Sequence, residues 1–523
     1  MFGCLTLAFT SCDDAMDEIT SVIFDRNFAP VDFEANNIGE ENATLQWTAS
    51  SGATSYTLEV FADDSLTFDG DLTLRYENLT DTKYVLSQLT YDTKYSARVM
   101  AKDANDASRD SKWSEVYFRT SAQQIFFDVT ENDVADTWAQ FSWPAGEDVT
   151  TIVATPTAGG TPVSHELTTD EKETGKVKLE GLAPETAYTV RLLNGEKERG
   201  SKNITTIMDL AGATPVHATA DLDFKKLLEE ATEGQVFALF GGTFEIKGID
   251  EDTGEEGILS AVISKSITIK GVYPTNMPVI KGRFEINGAQ NFALNNVIVD
   301  GSANSTGDQA FNFKASATTL KVENSEIKNF TKGVMYLANL EMTVNEVTFN
   351  NCLIHDILCT GGDMFDMRTA RVDFFNLKNS TLYNSASGRD FIRMDDAGLG
   401  GNPEITVDHC TINNVTNNKS KRLLYVRYPD HKITWTNNIV SNTEAIFSNQ
   451  SKTNAPTFAN NFYFNANNMK VDKTTDPNSQ NVFTDVNGTW NKDPQYGNAE
   501  NGDFTIGSDD VKKAGAGDPR WIK

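Results

Sequence analysis

Between residues 295 and 465 one short pattern occurs seven times, and it restricts the fold more than anything else in the chain. A polar residue, usually asparagine, is followed five residues later by Asn or Asp. The pairs are Asn295/Asp300, Asn324/Asn329, Asn351/Asp356, Asn379/Asn384, His409/Asn414, Asn437/Asn442 and Asn460/Asn465. The steps between first positions are 29, 27, 28, 30, 28 and 23 residues. A period in this range marks a repeat architecture, in which each unit buries its apolar face only against its neighbours. Three short strands with their turns consume about that many residues. One such coil stacked on the next gives a parallel β-helix, with strands about 4.8 Å apart along the axis. Asparagine recurring at a bend hydrogen-bonds its neighbours up the stack and satisfies turn backbone, so these asparagines read as scaffold. Cys352, Ser380 and Cys410 fall at one equivalent position. The two cysteines are then two coils, roughly 10 Å, apart, beyond the reach of a disulfide.

Both ends of the repeat region are legible. Asp221–Ala231 (DLDFKKLLEEA) places Phe224, Leu227, Leu228 and Ala231 on one helical face, and Gly234 follows as a stop signal. The next residues, QVFALFGGTFEI, read as strand, Gly-Gly turn, strand. A capping helix before a first coil of this kind resembles the start of the pectate-lyase-like right-handed β-helix proteins, where the helix plugs the open end of the core. The stretch from Asp493-Pro-Gln-Tyr to Arg520-Trp521 is similar to the closing segment of Bacteroidetes surface β-helix proteins. That largely uncharacterised family often sits among pectin-utilisation components. The resemblance covers 208–523.

Upstream, period-2 alternation in short runs such as Thr44–Trp47, Tyr56–Val60 and Tyr95–Val99, separated by turn residues, argues for antiparallel strands with one buried face. An early Trp (Trp47, Trp143) and a late Leu-x5-Tyr (Leu89/Tyr95, Leu182/Tyr188) occur twice. A Tyr so placed forms a sandwich corner, its ring inside and its hydroxyl bonded to nearby backbone. The two copies resemble fibronectin type III modules over 27–121 and, more degenerately, 122–207. Trp113 and Trp138 are the aromatics there that a carbohydrate could use, although packing is the commoner role for such residues. The fold class expected is therefore all-β: two fibronectin type III-like β-sandwiches, then a right-handed parallel β-helix with an N-terminal capping helix over 208–523.

Residues 1–11 read as the remnant of a lipoprotein signal, with Phe9-Thr10-Ser11-Cys12 as lipobox and Cys12 as the acylated residue. Residues 12–26 form an acidic tether (Asp13, Asp14, Asp17, Glu18) similar to the surface-export signal of Bacteroidetes lipoproteins. That resemblance implies an outer-membrane, cell-surface-exposed, lipid-anchored protein, in which several acyl chains hold firmly where one is marginal. A cleaved secretory peptide with an incidental cysteine is the alternative. Cys352, Cys359 and Cys410 show no CxxC spacing and read as buried thiols. No run approaches the roughly 18 apolar residues of a membrane-spanning helix. The net charge of −29 disfavours a nucleic-acid partner, whose phosphates need a basic footprint.

Chemistry in a β-helix depends on side chains pointing out from one sheet. One strand per coil carries them: Phe311–Lys314, Met335–Leu337, Phe365–Arg368, Ile392–Asp395 and Leu424–Arg427. Alternation turns the apolar residues in and leaves Lys314, Tyr336, Asp366, Arg368, Arg393, Asp395, Tyr425 and Arg427 facing out, roughly one above another. Residues 361–440 hold ten Lys/Arg and nine Asp/Glu, a balance of +1, which leaves −30 on the remainder. Such a stripe suits an acidic glycan, since Arg grips carboxylates bidentately and Tyr stacks on sugar rings. A salt-bridge ladder between coils accounts for the same residues. In a β-eliminating lyase, Arg393 or Arg368 would be the base, and Asp363, Asp366, Asp390, Asp395 and Asp396 are the candidate Ca²⁺ ligands. His355, His409 and His431 lack triad or metal spacing.

Three functions follow as expectations. The first is a surface lipoprotein binding a pectin-like uronate polysaccharide beside glycan-uptake transporter components. The others are a polysaccharide lyase, with Ca²⁺ as its candidate cofactor, and a structural or adhesive surface protein.

Overall fold

The computed structural model describes residues 25–250, 253–302, 308–337, 341–368, 370–396 and 398–523. Cys12 and the acidic cluster after it lie outside them, as does Cys4. The chain divides into two compact units, residues up to 204 and residues 205–523, with 135–137 and 183–185 grouped with the second.

The first unit holds two β-sandwiches. In the first module, Val31–Asn36, Ala43–Thr48 and Lys83–Leu86 form one sheet. Leu72–Leu79, Ser55–Ala62, Lys94–Lys102 and Ser114–Arg119 form the other. Trp47 is buried between them, edge-on to Phe33 and Tyr56 at 6.0 and 5.4 Å. The tyrosine corner is formed as the Leu-x5-Tyr spacing predicts: Tyr95 is buried and its hydroxyl accepts a 2.8 Å bond from the Thr90 amide. In the second module a four-stranded sheet faces the pair Trp138–Ser142 and Lys176–Glu180, with Trp143, Leu182 and Tyr188 in the core. Trp113 and Trp138 are half-buried, and each has a cation over its ring, Arg98 at 4.6 Å and Lys178 at 4.7 Å.

The second unit is a parallel β-solenoid of three faces. The first face runs in ten strands from Thr214–Val216 to Thr457–Ala459, and the second in ten from Thr243–Glu245 to Thr489–Trp490. The third has seven, from Ser260–Ile263 to Leu424–Val426. One continuous apolar core fills the interior. The capping helix is shorter than the periodicity suggests, Phe224–Glu229, because the Asp223 carboxylate takes the Lys226 amide and fixes the start. Phe224 and Leu228 are its buried residues.

The Asn pairs mark two corners per coil rather than one. The first members Asn324, Asn351, Asn379, His409, Asn437 and Asn460 all have φ between 49° and 56°. The second members Asn329, Asp356, Asn384, Asn414, Asn442 and Asn465 have φ between 49° and 63°. Each pair brackets a strand of the second face. Left-handed backbone disfavours every residue but glycine, least so Asn and Asp, which explains the residue type. In the first repeat the left-handed residue is Asn296 instead of Asn295. The side chains then bond up the stack: Asn351 Nδ2 donates to Asn324 Oδ1 at 2.7 Å, Asn414 to Asn384 at 3.1 Å and Asn465 to Asn442 at 2.9 Å. Just inside the first corner, Cys352, Ser380, Cys410 and Asn438 form a buried column, with the Cys352 amide on Ser380 Oγ and the Cys410 amide on Asn438 Oδ1, both at 2.9 Å. The three described cysteines are free and buried, and burial pushes the Cys352 and Cys359 thiols up to about 12.

Residues 494–521 fold back over the second face as a hairpin, a short helix and a final turn. Asp518 takes the Thr381 hydroxyl at 2.7 Å, and its amide donates to Thr411 Oγ1 at 3.0 Å. Arg520 Nη2 donates to Asn351 O at 2.9 Å and to its Oδ1 at 2.6 Å.

Candidate functional site

The sequence-predicted residues gather on the third face, but in two columns instead of one. Strand register aligns Glu285, Asn312, Tyr336, Asp366, Arg393 and Tyr425 on successive coils. Lys314, Arg368, Asp395 and Arg427 form a second column, each one residue past its strand. A third column, two residues before each strand, comprises Gln309, Gly333, Asp363, Asp390 and Arg422.

The charges of these columns are paired with one another. Arg368 Nε donates to both Asp366 oxygens at 2.8 and 3.0 Å, and its Nη2 reaches Asp366 and, at 3.2 Å, Asp363. Arg393 Nη1 meets Asp363 at 3.3 Å, while its Nε and Nη2 meet Asp395 Oδ2 at 3.1 and 2.9 Å. Arg427 Nε takes the other Asp395 oxygen at 2.8 Å, and Arg422 pairs with Asp390 through side chain and amide. Four guanidinium groups thus balance four carboxylates. The pairing runs between coils at Asp363–Arg393, Asp395–Arg427 and Asp390–Arg422, while Arg368 bonds Asp366 and Asp363 within its own coil. It includes Arg422, which alternation alone did not pick out. The signal available was its offset, shared with Asp363 and Asp390.

Two expectations about exposure are corrected. Asp366 and Asp395 point outward but lie buried, Asp366 with 1% of its side chain exposed, because the longer arginines fold over them. Tyr425 does not present an open ring: the guanidinium carbons of Arg422, Arg393 and Arg427 lie 4.2, 4.8 and 4.9 Å from its centroid. Electrostatics agree with the pairing. The Asp366 hydrogen bonds outweigh desolvation and push the Arg368 guanidinium further up, and Asp395 does the same for Arg427. Burial pushes the Asp395 carboxyl up, but hydrogen bonds from Arg427 and Arg393 outweigh it and hold it below the usual carboxylate range.

The candidate Ca²⁺ ligands are not gathered. Asp363 and Asp390 are taken up by arginines, and exposed Asp396 caps the Gly398 amide at 2.8 Å. Among the described residues no group of three or more His, Cys, Asp or Glu side chains is placed to hold a metal ion. Lys314 lies apart, 4.0 Å from Glu285. Beside the far end of the ladder is an open pocket of about 410 Å³ lined by Asp395, Asp396, Arg427, Gln450, Ser451 and Lys452. The last three were not anticipated, since they stand in a turn outside the repeat.

The family-model matches each fall within one of the two compact units. Residues 28–117 match the fibronectin type III domain model. Residues 242–385 match a domain of unknown function, DUF4957, and residues 405–521 another, DUF5123. No curated protein matches the chain. Among solved structures, a two-domain fibronectin type III segment of chicken tenascin is 21% identical, covering 34% of this chain and 99% of that one, with a TM-score of 0.25. A computationally redesigned β-sandwich protein is 18% identical, covering 18% and 94%, with a TM-score of 0.15. A structure described as a myokine is 22% identical, covering 18% and 97%, also with a TM-score of 0.15.

Proposed function

We propose that this chain binds an acidic, uronate-bearing polysaccharide on the third face of its solenoid. In this reading it is a cell-surface protein, lipid-anchored to the outer membrane through Cys12, working beside glycan-uptake transporter components. Sandwich modules joined to a β-solenoid fit a surface carbohydrate-binding or adhesive protein. The observation that carries the finer reading is the pocket at the end of the ladder. There Arg427, its side chain 38% exposed and held by Asp395 through Nε, stands with Lys452 at an open surface. A carboxylate placed between them would gain charge-assisted bonds, and Gln450 and Ser451 offer groups for sugar hydroxyls.

The lyase reading is weaker on the same geometry. A general base must be unprotonated, whereas Asp366 pushes the Arg368 guanidinium up and Arg393 is held by Asp363 and Asp395. The test is a glycan array probed with the full chain, with and without Ca²⁺, followed by product analysis of every hit. Binding to polyuronates without turnover, weakened at least tenfold in Arg427→Ala/Lys452→Ala, is the expected result. Unsaturated products would establish the lyase instead, and no affinity for any glycan would leave the adhesive role.

A further inference from the structure

Lower on the same face, three buried polar side chains each carry an atom without a hydrogen-bond partner. Arg283 opens the strand Arg283–Ile286 and is 8% exposed, yet its Nη1 has no partner. Among the described residues no carboxylate lies within ion-pair distance of it, although Asp308, Glu285 and Asp250 act on it from further away. On the next coil, Gln309 and Asn312 are 4% and 7% exposed, and Gln309 Oε1 and Asn312 Oδ1 are likewise without partners. Asn312 stands directly above Glu285, and Ala310, beside Gln309, stands above Arg283, so the three groups share adjacent rungs about 4.8 Å apart. Gly333 makes room on the coil above, and Gly362 on the coil after that. A Cβ on Gly362 would lie 3.0 Å from Gln309 Nε2 and 3.9 Å from Asp366 Oδ2, so the Gln309 amide reaches toward the foot of the ladder.

A desolvated guanidinium with no carboxylate at ion-pair distance among the described residues, and two buried carbonyl oxygens without donors, each cost free energy. Two to three coils further on, the ladder pairs its arginines and aspartates with one another, although Arg422 Nε is also left without a partner. Here the spare bonding capacity is shared by three side chains on adjacent rungs. We propose that Arg283, Gln309 and Asn312 form a uronate subsite, Arg283 taking the sugar carboxylate and the two amide oxygens accepting its hydroxyls. This rests on the acidic-glycan reading above and gives the site a second anchoring point, several coils from the Arg427–Lys452 pocket. Two anchors along one sheet suit a linear polymer lying parallel to the solenoid axis. Asn312 Nδ2, 3.4 Å from Asp308 Oδ2, and Lys332, 3.6 Å from the other oxygen of that carboxylate, orient the rim.

The test is calorimetric titration of the full chain with oligogalacturonides and with the same oligomers methyl-esterified, which keeps the hydroxyls and removes the charge. Arg283→Met should weaken binding of the free acid at least tenfold and leave the ester nearly unaffected. Its melting temperature should hold or rise, because a buried unpaired charge is replaced by an apolar chain of similar length. Asn312→Ala, a milder change, should weaken both ligands. In the unaltered chain the free acid should slow amide exchange across 281–314. Full affinity in folded Arg283→Met and in Asn312→Ala, with binding lost in Arg427→Ala/Lys452→Ala, would overturn the subsite and keep the function. Absence of exchange protection at 281–314 in a chain that binds would also overturn it. Absence of binding to any polyuronate would remove both.

Discussion

Removing Arg368 should expose how far the third face depends on its ladder. The Asp366 side chain is 1% exposed, and Arg368 is the cation bonded to it, through Nε and Nη2. Breaking one side of a buried pair typically costs about 3–5 kcal/mol. Arg368 itself is 30% exposed, so water admitted by Arg368→Ala offsets part of this, and a loss of about 2–3 kcal/mol is the reasoned value. Asp363 keeps Arg393 at 3.3 Å and contributes little further. In a stacked repeat such a loss stays near the affected coils, so native-state hydrogen exchange is the assay. Peptides covering 361–396 should exchange roughly 30- to 150-fold faster, since about 1.4 kcal/mol is tenfold, while peptides covering 267–300 stay unchanged. Adding Asp366→Asn removes the stranded charge and should restore most of the protection. Exchange within threefold of the unaltered protein in Arg368→Ala, or no recovery in the double variant, would refute the view of Asp366 as a charge dependent on Arg368.

Two further outcomes are expected. On the second face, His355 lies between Glu326 at 3.1 Å and Asp356 at 2.7 Å and stacks on Tyr383, with Lys328 meeting the same Glu326 oxygen at 2.7 Å. Burial pushes the Glu326 carboxyl up, but hydrogen bonds from His355 and Lys328 and their charges prevail and lower it to about 2. Burial pulls His355 down, and hydrogen bonds to Glu326 and Asp356 raise it above its ordinary value of 6.5. The carboxylate contribution is complete above pH 4.5 and lost as pH falls toward 2; the imidazolium contribution is complete below pH 6.5 and lost as pH rises through the raised value. Thermal melts of the solenoid should therefore peak between those limits and decline on both sides, by roughly 3 kcal/mol at most on the acid side. In His355→Gln the alkaline decline should disappear, and an identical decline in that variant would contradict the assignment. At the corners, Asn384→Ala should cost about 1–2 kcal/mol, from left-handed strain and the lost bond to Asn414, and Asn384→Gly clearly less, as read by urea unfolding. Equal losses would mean that backbone handedness is not what selects asparagine.

The architecture was legible because period and alternation carry it. The 27- to 30-residue steps gave the coil, and the aromatic pattern gave the sandwiches with their tyrosine corner. The site was legible only in outline. Alternation reports which way Asp366 points, and depth depends on whether Arg368 folds back over it, which no pattern in one strand encodes. Arg422 lies outside its strand, so its place above Asp363 and Asp390 emerges only from register. Gln309 and Asn312 carry no charge and stand in a chain rich in amides. Their distinction is a missing partner, a property of three-dimensional packing. The second asparagine corner escaped for a related reason: the spacing of five was visible, but not that both ends of it take the same left-handed turn.

The returning segment 494–521 changes how the solenoid comes apart. A plain stack of coils frays from its ends, each rung leaving independently. Here Arg520 holds Asn351, and Asp518 holds Thr381 and Thr411, so one short stretch is tied to three successive rungs at chain separations of 107 to 169 residues. None of those rungs can peel away without first releasing the same clasp. A ladder that would otherwise unzip step by step becomes, over this stretch, a single block that opens all at once, and that block contains Asp363, Arg368, Arg393 and Asp395.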